Sequence, residues 1–326
     1  MENTNGLKDA HILVTGGAGF IGSHLVDRLV AEGAHVIVVD NFITGNKKNL
    51  TKALESSQVT LIEGDVSQPV STYLPDNTLV NGIFHLASPA SPKGYGNHPI
   101  ETYQANGFGT HYLAAYACEQ RIPILYTSTS ESYGDPEEHP QPETYWGHVN
   151  PIGVRACYDE SKRFGEMVLT TWARTHQLNA RIVRIFNTYG PRMDIHDGRV
   201  IPSFVTEALR GQPMTVYGTG SQTRSFCYVA DLVEFLIRMY TTPEAQGEVI
   251  NIGNPDEYTM LDFAQKIKTM TNSQSEIVFE PLPSDDPTRR KPDIAKAKKI
   301  LHYEPRVGLD EGLEKTIEWF KSEIST

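Results

Sequence analysis

Tyr158 and Lys162 stand four residues apart in the run ACYDESKRF, Ala156 to Phe164. On a helix such positions share one face, with Cβ atoms ~5–6 Å apart. A free tyrosine titrates near pH 10, too high for an efficient base at neutral pH, and a fixed ammonium one turn away favours its phenolate. The pair is therefore a candidate for moving a proton on and off a substrate hydroxyl. Taken alone the spacing is equally ordinary helix decoration, and it gains meaning only if the chain also supplies a redox cofactor and a substrate.

About thirty residues upstream, TSTSESYGDP ends an apolar run in hydroxyls and a carboxylate, Thr129, Ser130 and Glu131. Thr129 can hydrogen-bond the reacting hydroxyl; Gly134 to Pro136 reads as a turn. Further upstream, TGGAGFIG follows an apolar run and opens an amphipathic one. Gly17, Gly19 and Gly22 satisfy GxGxxG, and Gly16, Gly19 and Gly22 satisfy GxxGxxG. Either way the glycines permit a tight turn, and the helix N-terminus then faces a pyrophosphate. Asp40 ends the next apolar run, eighteen residues after Gly22. A carboxylate there accepts from both ribose hydroxyls and repels a 2′-phosphate, so NAD is expected in preference to NADP. Its positively charged nicotinamide would favour the Tyr158 phenolate further. Asp65 and Val66, closing VTLIEGDV, are candidates for the adenine edge, with a plain turn as the alternative for Asp65.

These groups need a scaffold that gathers strand ends. HILVTGG, HVIVVD, VTLIEGDV, VNGIFHLAS, IPILYTST and ARIVRIF are short and almost continuously apolar, as strands covered on both faces are. Helical stretches separate them, including a long one from about His98 to Gln120 and the one carrying Tyr158. The alternation predicts an α/β fold, a doubly wound parallel sheet of Rossmann type, whose strand carboxyl ends bind the ligand. After Phe186 the elements become short and rich in Pro and Gly. The expected division is an NAD-binding domain over 8–186 plus 225–254 and a smaller C-terminal α/β substrate-binding lobe over 187–224 plus 255–322, with VADLVEFLIRMYTT and VINIG returning to the sheet.

The chain has 326 residues, 39% hydrophobic and 21% charged, with a formal net charge of −11. That balance fits a globular protein and argues against a nucleic-acid partner; an anionic ligand has to be gathered by a local cationic pocket. No apolar run reaches membrane-spanning length, and no apolar signal core precedes the first strand. The three cysteines, Cys118, Cys157 and Cys227, show no CxxC spacing; they are expected to be buried free thiols in a reducing compartment. The histidines form no HxxxH set with carboxylates, so no metal site is expected.

GGAGFIG, HLAS and YDESK resemble the extended short-chain dehydrogenase/reductase superfamily, whose members act on nucleotide sugars. More narrowly, STSESYGDPEEHPQPETYWGHVNPIGVRACYDESKR resembles the UDP-glucuronate decarboxylases, or UDP-xylose synthases. RIFNTYGPRM, DGRVIPSF, VYGTGSQTRSF and DDPTRRKPDIAKAKKIL match that family too, so the likeness runs from about residue 10 to 320. Ser132 departs from it, standing where the family more often has valine, and reads as a packing change. The N-terminal membrane anchor of some members is missing, which fits a cytoplasmic form.

The resemblance implies conversion of UDP-glucuronic acid to UDP-xylose and carbon dioxide through a 4-keto sugar, with tightly held NAD reduced and re-oxidised in each cycle. It implies that Thr129, Tyr158 and Lys162 serve hydride transfer, that Glu131 with Ser130 handles the decarboxylation step, and that Arg290 meets the sugar carboxylate. Gly16, Gly19, Phe20, Ile21, Gly22, Asp40, Asn41, Asp65, Val66, Leu86, Ala87, Ser88, Asn106 and Thr127 are the cofactor-side candidates, joined by Tyr158 and Lys162. On the substrate side stand Asn187, Arg192, Arg199, Val200, Tyr217, Arg224 and Arg290. A homodimer is implied through a four-helix interface built from His98–Gln120 and Ala156–His176. Three alternatives remain open: a nucleotide-sugar 4,6-dehydratase, which expects Asp–Glu where Ser130–Glu131 stand; a UDP-glucuronate 4-epimerase, which must suppress carbon dioxide loss; and a non-catalytic NAD-binding redox sensor, a class that usually lacks the tyrosine or the lysine.

Overall fold

In the computed structural model, residues 6–282 and 289–325 are described; the start of the DDPTRRKPD motif falls outside them. Six strands come from residues 11–185: β1 (His11–Thr15), β2 (His35–Asp40), β3 (Val59–Glu63), β4 (Gly82–His85), β5 (Ile124–Thr129) and β6 (Ala180–Ile185). A seventh, β7 (Val249–Ile252), returns to them. Together they form one seven-stranded sheet in the order β7-β6-β5-β4-β1-β2-β3, parallel at every junction. The order reverses between β1 and β4, and a doubly wound sheet opens its ligand crevice at that switch point.

The strands alternate their side chains between two apolar layers. Ile12, Val14, Val36, Val38, Phe84, Leu125 and Val183 face one; Leu13, Ile37, Val39, Ile83, Ile124, Tyr126 and Ile182 face the other. All are buried, each aliphatic side chain contributing roughly 1.5–3 kcal/mol by leaving water. This two-sided burial is why the strands carry no polar alternation.

The helices that matter for the site are α1 (Phe20–Ala31), α2 (Pro92–Asn97), α3 (Pro99–Gln104), α4 (Thr110–Gln120), α5 (Ala156–His176), α6 (Val200–Arg210) and α7 (Val229–Thr241). The expected long helix from His98 is not regular. Pro99 cannot extend α2, so His98 turns away (φ −130, ψ 55) and α3 starts afresh. A π-turn at Ala105–Gly109 then interrupts the run before α4. The 21-residue α5 buries Tyr158, Ser161, Lys162, Gly165, Glu166 and Leu169, the i, i+3/i+4 stripe of a helix lying on a sheet.

Past Phe186 the strands other than β7 are short and form small separate sheets. Met214–Tyr217 pairs with Ile277–Glu280. Thr223–Ser225 lies between Glu257–Thr259 and Arg289–Arg290. Among the cysteines only Cys227 is fully buried, and Cys118 and Cys157 are half-buried free thiols. The expectation of three buried thiols is corrected because Cys118 and Cys157 sit at the margins of α4 and α5. Among the described residues no helix is long and apolar enough to cross a membrane.

Candidate active site

A cavity of about 1410 Å³ opens along the carboxyl ends of the sheet and runs from the glycine loop to the short strands beyond Phe186. Single-ligand pockets are typically about 300–1,000 Å³, so the volume suits a cofactor and a substrate side by side.

At one end lies the glycine loop. Gly16 has φ +72, and a Cβ there would lie 2.6 Å from the Ala87 nitrogen, while one on Gly22 would lie 2.1 Å from the Gly16 carbonyl oxygen. Only glycine lets the β1 loop, the β4 loop and α1 come so close. Gly19 caps α1 without a side-chain hydrogen bond, leaving the first-turn N–H groups for an anion. Asp40 is buried at the end of β2 and accepts from Ala18 N at 2.9 Å and Phe42 N at 2.8 Å. Burial pushes its carboxyl up, against those two bonds. Asp65 lines the cavity and also accepts from Ser67 N at 2.9 Å, so the turn role and exposure to a ligand coexist. These residues fit a dinucleotide: a tight loop, a free helix start and a carboxylate where a ribose would lie.

At the centre, Tyr158 and Thr129 are both buried and line the cavity, with the Thr129 side chain acting on the phenol. Thr129 caps a short 3₁₀ turn and accepts from Glu131 N at 3.2 Å, so its hydroxyl fixes the carboxylate residue beside the phenol. Burial pushes the Tyr158 phenol up to about 12; the Thr129 bond and the Arg199 charge pull the other way. Lys162 shares the helical face of Tyr158 but turns its head group to the sheet. Its Nζ donates to the Thr127 carbonyl at 2.7 Å and lies 5.9 Å from the Tyr158 ring centroid. Burial lowers it to about 7, so burial works against both the phenolate and the ammonium. Beneath them, His85 bridges Thr15 at 2.8 Å and Thr110 at 3.2 Å, and burial lowers it to about 3.

Beside this pair sits a charge cluster. Glu131 receives both Arg290 Nη atoms, one at 2.8 Å, and Arg155 Nη2. Burial opposes its charge, yet Arg290, Arg155 and Arg224 together hold its carboxyl below the usual range. Arg290 pairs with Arg224 across adjacent strands, which brings both to the same end of the cavity. Asp159, next to Tyr158, is buried and lies 3.9 Å from Arg155. Burial and the Glu131 charge push it up to about 7, against Arg155 and Arg290. Despite the acidic chain, three guanidiniums thus surround one ionised carboxylate, a local field suited to an anion.

The cavity brings together every candidate except one. Phe20, Ile21, Asn41, Val66, Leu86, Ala87, Ser88 and Thr127 line the glycine-loop end, and Ser130 sits with Thr129 and Glu131. Asn187, Val200, half-exposed Tyr217 and Arg224 line the far side. Asn106 does not reach the cavity: it is fully buried in the π-turn and donates to Ser161 Oγ at 3.0 Å. Two of the lining arginines also form ion pairs. Arg192 donates to Asp27 on α1 at 2.6 Å, which turns it toward the cofactor end, and Arg199 is held by Asp197 at 2.6 and 2.8 Å. Ser132 is buried with its Oγ 3.4 Å from Ser128 Oγ, so its hydroxyl has a neighbour in place of valine packing. Sequence reasoning missed Arg155, although it lies three residues before Tyr158 on the same helical face, and Tyr95, which no motif marks.

Comparison with known proteins adds the following. The model of the NAD dependent epimerase/dehydratase family matches residues 12–253. The chain is 50% identical over 313 residues to UDP-glucuronic acid decarboxylase 1 of Danio rerio, covering 96% of this chain and 73% of that protein. It is 51% identical over 303 residues to UDP-glucuronic acid decarboxylase 6 of Arabidopsis thaliana, covering 93% and 86%. Among solved structures it is similar to a UDP-glucuronic acid 4-epimerase from Bacillus cereus in complex with UDP-glucuronic acid and NAD. There the TM-score is 0.85 at 28% identity, over 96% of this chain and 99% of that one.

Proposed function

The chain belongs to the NAD dependent epimerase/dehydratase family, and from that premise we propose that it is a UDP-glucuronate decarboxylase, making UDP-xylose and carbon dioxide. The observation that carries this reading is the Thr129–Tyr158 pair opening into the same cavity as Glu131, with its arginines. The relatives near 50% identity bear the decarboxylase name.

Gly16, Gly19, Gly22 and Asp40 would hold NAD, which when bound would supply the acceptor of the C4 hydride and then return it. Tyr158 takes the proton of the C4 hydroxyl while Thr129 holds that oxygen in line. The resulting C4 ketone lies β to the carboxylate on C5, so the C5–carboxyl bond breaks with its electron pair delocalised onto the ketone oxygen. Carbon dioxide leaves, C5 gains a proton through water held by Glu131, and Tyr158 returns its proton to the C4 oxygen. Arg290 binds the uronate carboxylate, and Ser130 lies alongside. Arg224, Arg199 with Val200, Asn187 and Tyr217 serve the UDP moiety in a lobe formed by 187–224 plus 255–322. The enzyme is taken to be a cytoplasmic homodimer through the faces of α3, the π-turn and α5, where Ile100, Tyr103, Phe108, Phe164 and Met167 are exposed.

The fold neighbour that acts on UDP-glucuronic acid as a 4-epimerase favours one alternative. Incubating the purified protein with UDP-glucuronate and NAD separates the two. The decarboxylase gives a product lighter by one carbon dioxide, whereas an isomer of unchanged mass assigns the epimerase.

A further inference from the structure

Gln141, in the run HPQPETYWG, belongs to a stretch that the proposed chemistry does not use. It is fully buried and does not line the cavity. Its backbone and its side chain both hold the segment that follows Arg290. Gln141 N donates to the Lys291 carbonyl at 2.9 Å, Lys291 N donates to Gln141 Oε1 at 2.9 Å, and Asp293 N donates to the Gln141 carbonyl at 3.0 Å. Gln141 Nε2 donates to the Glu138 carbonyl at 2.7 Å, so both ends of the amide are used.

Asn251, on β7 and also fully buried, carries this hold across to the sheet. Its Nδ2 donates to the carbonyls of Gln141 at 2.9 Å and Asp293 at 3.2 Å, and its Oδ1 accepts from the Tyr133 hydroxyl at 2.8 Å. Tyr133 ends the 3₁₀ turn that carries Glu131. The links close a ring. It runs from Glu131 to Tyr133 along the chain, through Asn251 and Gln141 to Lys291, and back to Glu131 through the Arg290 guanidinium.

One arc of the ring is an ion pair and the other is made of neutral, buried hydrogen bonds. An anion affects them differently. A uronate carboxylate that reaches Arg290 competes with Glu131 for the guanidinium N–H groups, so it loosens the charged arc. Neither amide lines the cavity, so the neutral arc has no such competitor. Each buried partner left unmatched there costs about 1–3 kcal/mol, which keeps that arc closed while the ion pair exchanges.

We propose that Gln141 is a positioning residue. Together with Asn251 it fixes the Arg290 backbone relative to the Glu131 turn, so the guanidinium stays within reach of the substrate carboxylate as it gives up Glu131. This rests on the decarboxylase reading and on the place that reading gives Arg290.

The test measures binding. Gln141→Leu removes both ends of the amide. Tyr133→Phe cuts the same arc by a single hydroxyl, and it carries the test alone if Gln141→Leu does not fold. Each is made in the unaltered chain and in the Arg290→Met background. Dissociation constants for UDP-glucuronate and UDP-xylose are measured by calorimetry on protein loaded with NADH, which cannot oxidise either sugar. In the otherwise unaltered chain, Gln141→Leu is expected to weaken UDP-glucuronate binding by roughly tenfold, the scale of one hydrogen bond to a charged group, and Tyr133→Phe to weaken it less. UDP-xylose, which has no carboxylate, keeps its affinity, and in the Arg290→Met background neither variant weakens UDP-glucuronate further. The same loss in both backgrounds, or an equal loss for UDP-xylose, overturns the proposal, because the amides then support the fold at large and do not act through Arg290. Unchanged affinity for both sugars overturns it as well. If the unaltered enzyme releases no carbon dioxide from UDP-glucuronate, the functional reading fails and this inference with it, an outcome visible before any variant is made.

Discussion

Glu131 and Arg290 lend themselves to a double-mutant cycle. Arg290 is 5% exposed at its side chain and Glu131 16%, so the pair is shielded from solvent. Breaking a buried pair by removing one partner typically costs ~3–5 kcal/mol, because the other charge is left uncompensated. Arg290→Met leaves Glu131 with Arg155, which places its loss at the lower end, about 3 kcal/mol. Glu131→Gln strips two guanidiniums of their carboxylate, with Asp159 3.9 Å from Arg155; its loss should be at least as large. The double variant removes charge from both sides, so its loss should fall short of the sum by about 1–3 kcal/mol, the coupling expected of groups in one network. Urea unfolding of the four proteins, each saturated with NAD, measures this. Turnover should not follow stability: the double variant regains part of the folding free energy but none of the carbon dioxide release. Additivity of the single losses to within about 0.5 kcal/mol would show that the two groups do not depend on each other. Recovery of turnover alongside stability would show that neither charge takes part in the chemistry.

Other expectations follow from the same geometry. Tyr158→Phe keeps the ring stacked on Tyr95 and should lower kcat by about 10²–10⁴-fold, the usual contribution of a positioned proton-transfer group, while NAD binding measured by fluorescence stays intact. Glu131→Ala should slow carbon–carbon cleavage more than hydride transfer, so NADH absorbance accumulates during a single turnover; equal loss of both steps reduces Glu131 to a positional role. Asp159, raised to about 7 by burial and Glu131, holds a proton when folded that the unfolded chain releases near pH 4. Its stabilising contribution is therefore complete below that pH and is lost as pH rises through about 7. Relative to Asp159→Asn, the unaltered protein should lose stability between about pH 5 and 8, and parallel urea-unfolding curves at both pH values would contradict the shift. Phe108, 51% exposed on the π-turn, belongs to the proposed dimer face; Phe108→Asp should give a monomer by sedimentation, and an unchanged mass would move the interface elsewhere.

Periodicity and local chemistry made much of the fold readable. Near-continuous apolar runs marked the strands because both faces of the sheet are covered, and the glycine loop was recognisable because a close approach such as that of Gly16 to Ala87 tolerates no side chain. The Tyr158–Lys162 spacing correctly placed both residues on one helical face, but not the hydrogen-bond partners they choose. For Lys162 the partner comes from β5, where the Thr127 carbonyl receives its Nζ, and Thr129 on the same strand acts on the phenol. Asn106 shows the same limit: a polar residue in a helical run can face a ligand or a neighbouring helix, and the π-turn sends it to Ser161 on α5. The Glu131 clamp joins α5 to a two-residue strand that begins at Arg289, far along the chain. No spacing rule reports such a contact, and only the resemblance suggested Arg290. Tyr95 carried no signal at all, because an unpartnered hydroxyl is a property of packing.

The most direct test uses UDP-glucuronate carrying deuterium at C4, converted by the purified enzyme with unlabelled NAD. If Tyr158 and the cofactor oxidise and then re-reduce that one carbon within a closed cavity, the expected product is UDP-xylose with the deuterium still on C4, one carbon dioxide per sugar and no net NADH. A product that keeps its carboxyl group, or UDP-xylose that has lost the label from C4, would contradict it.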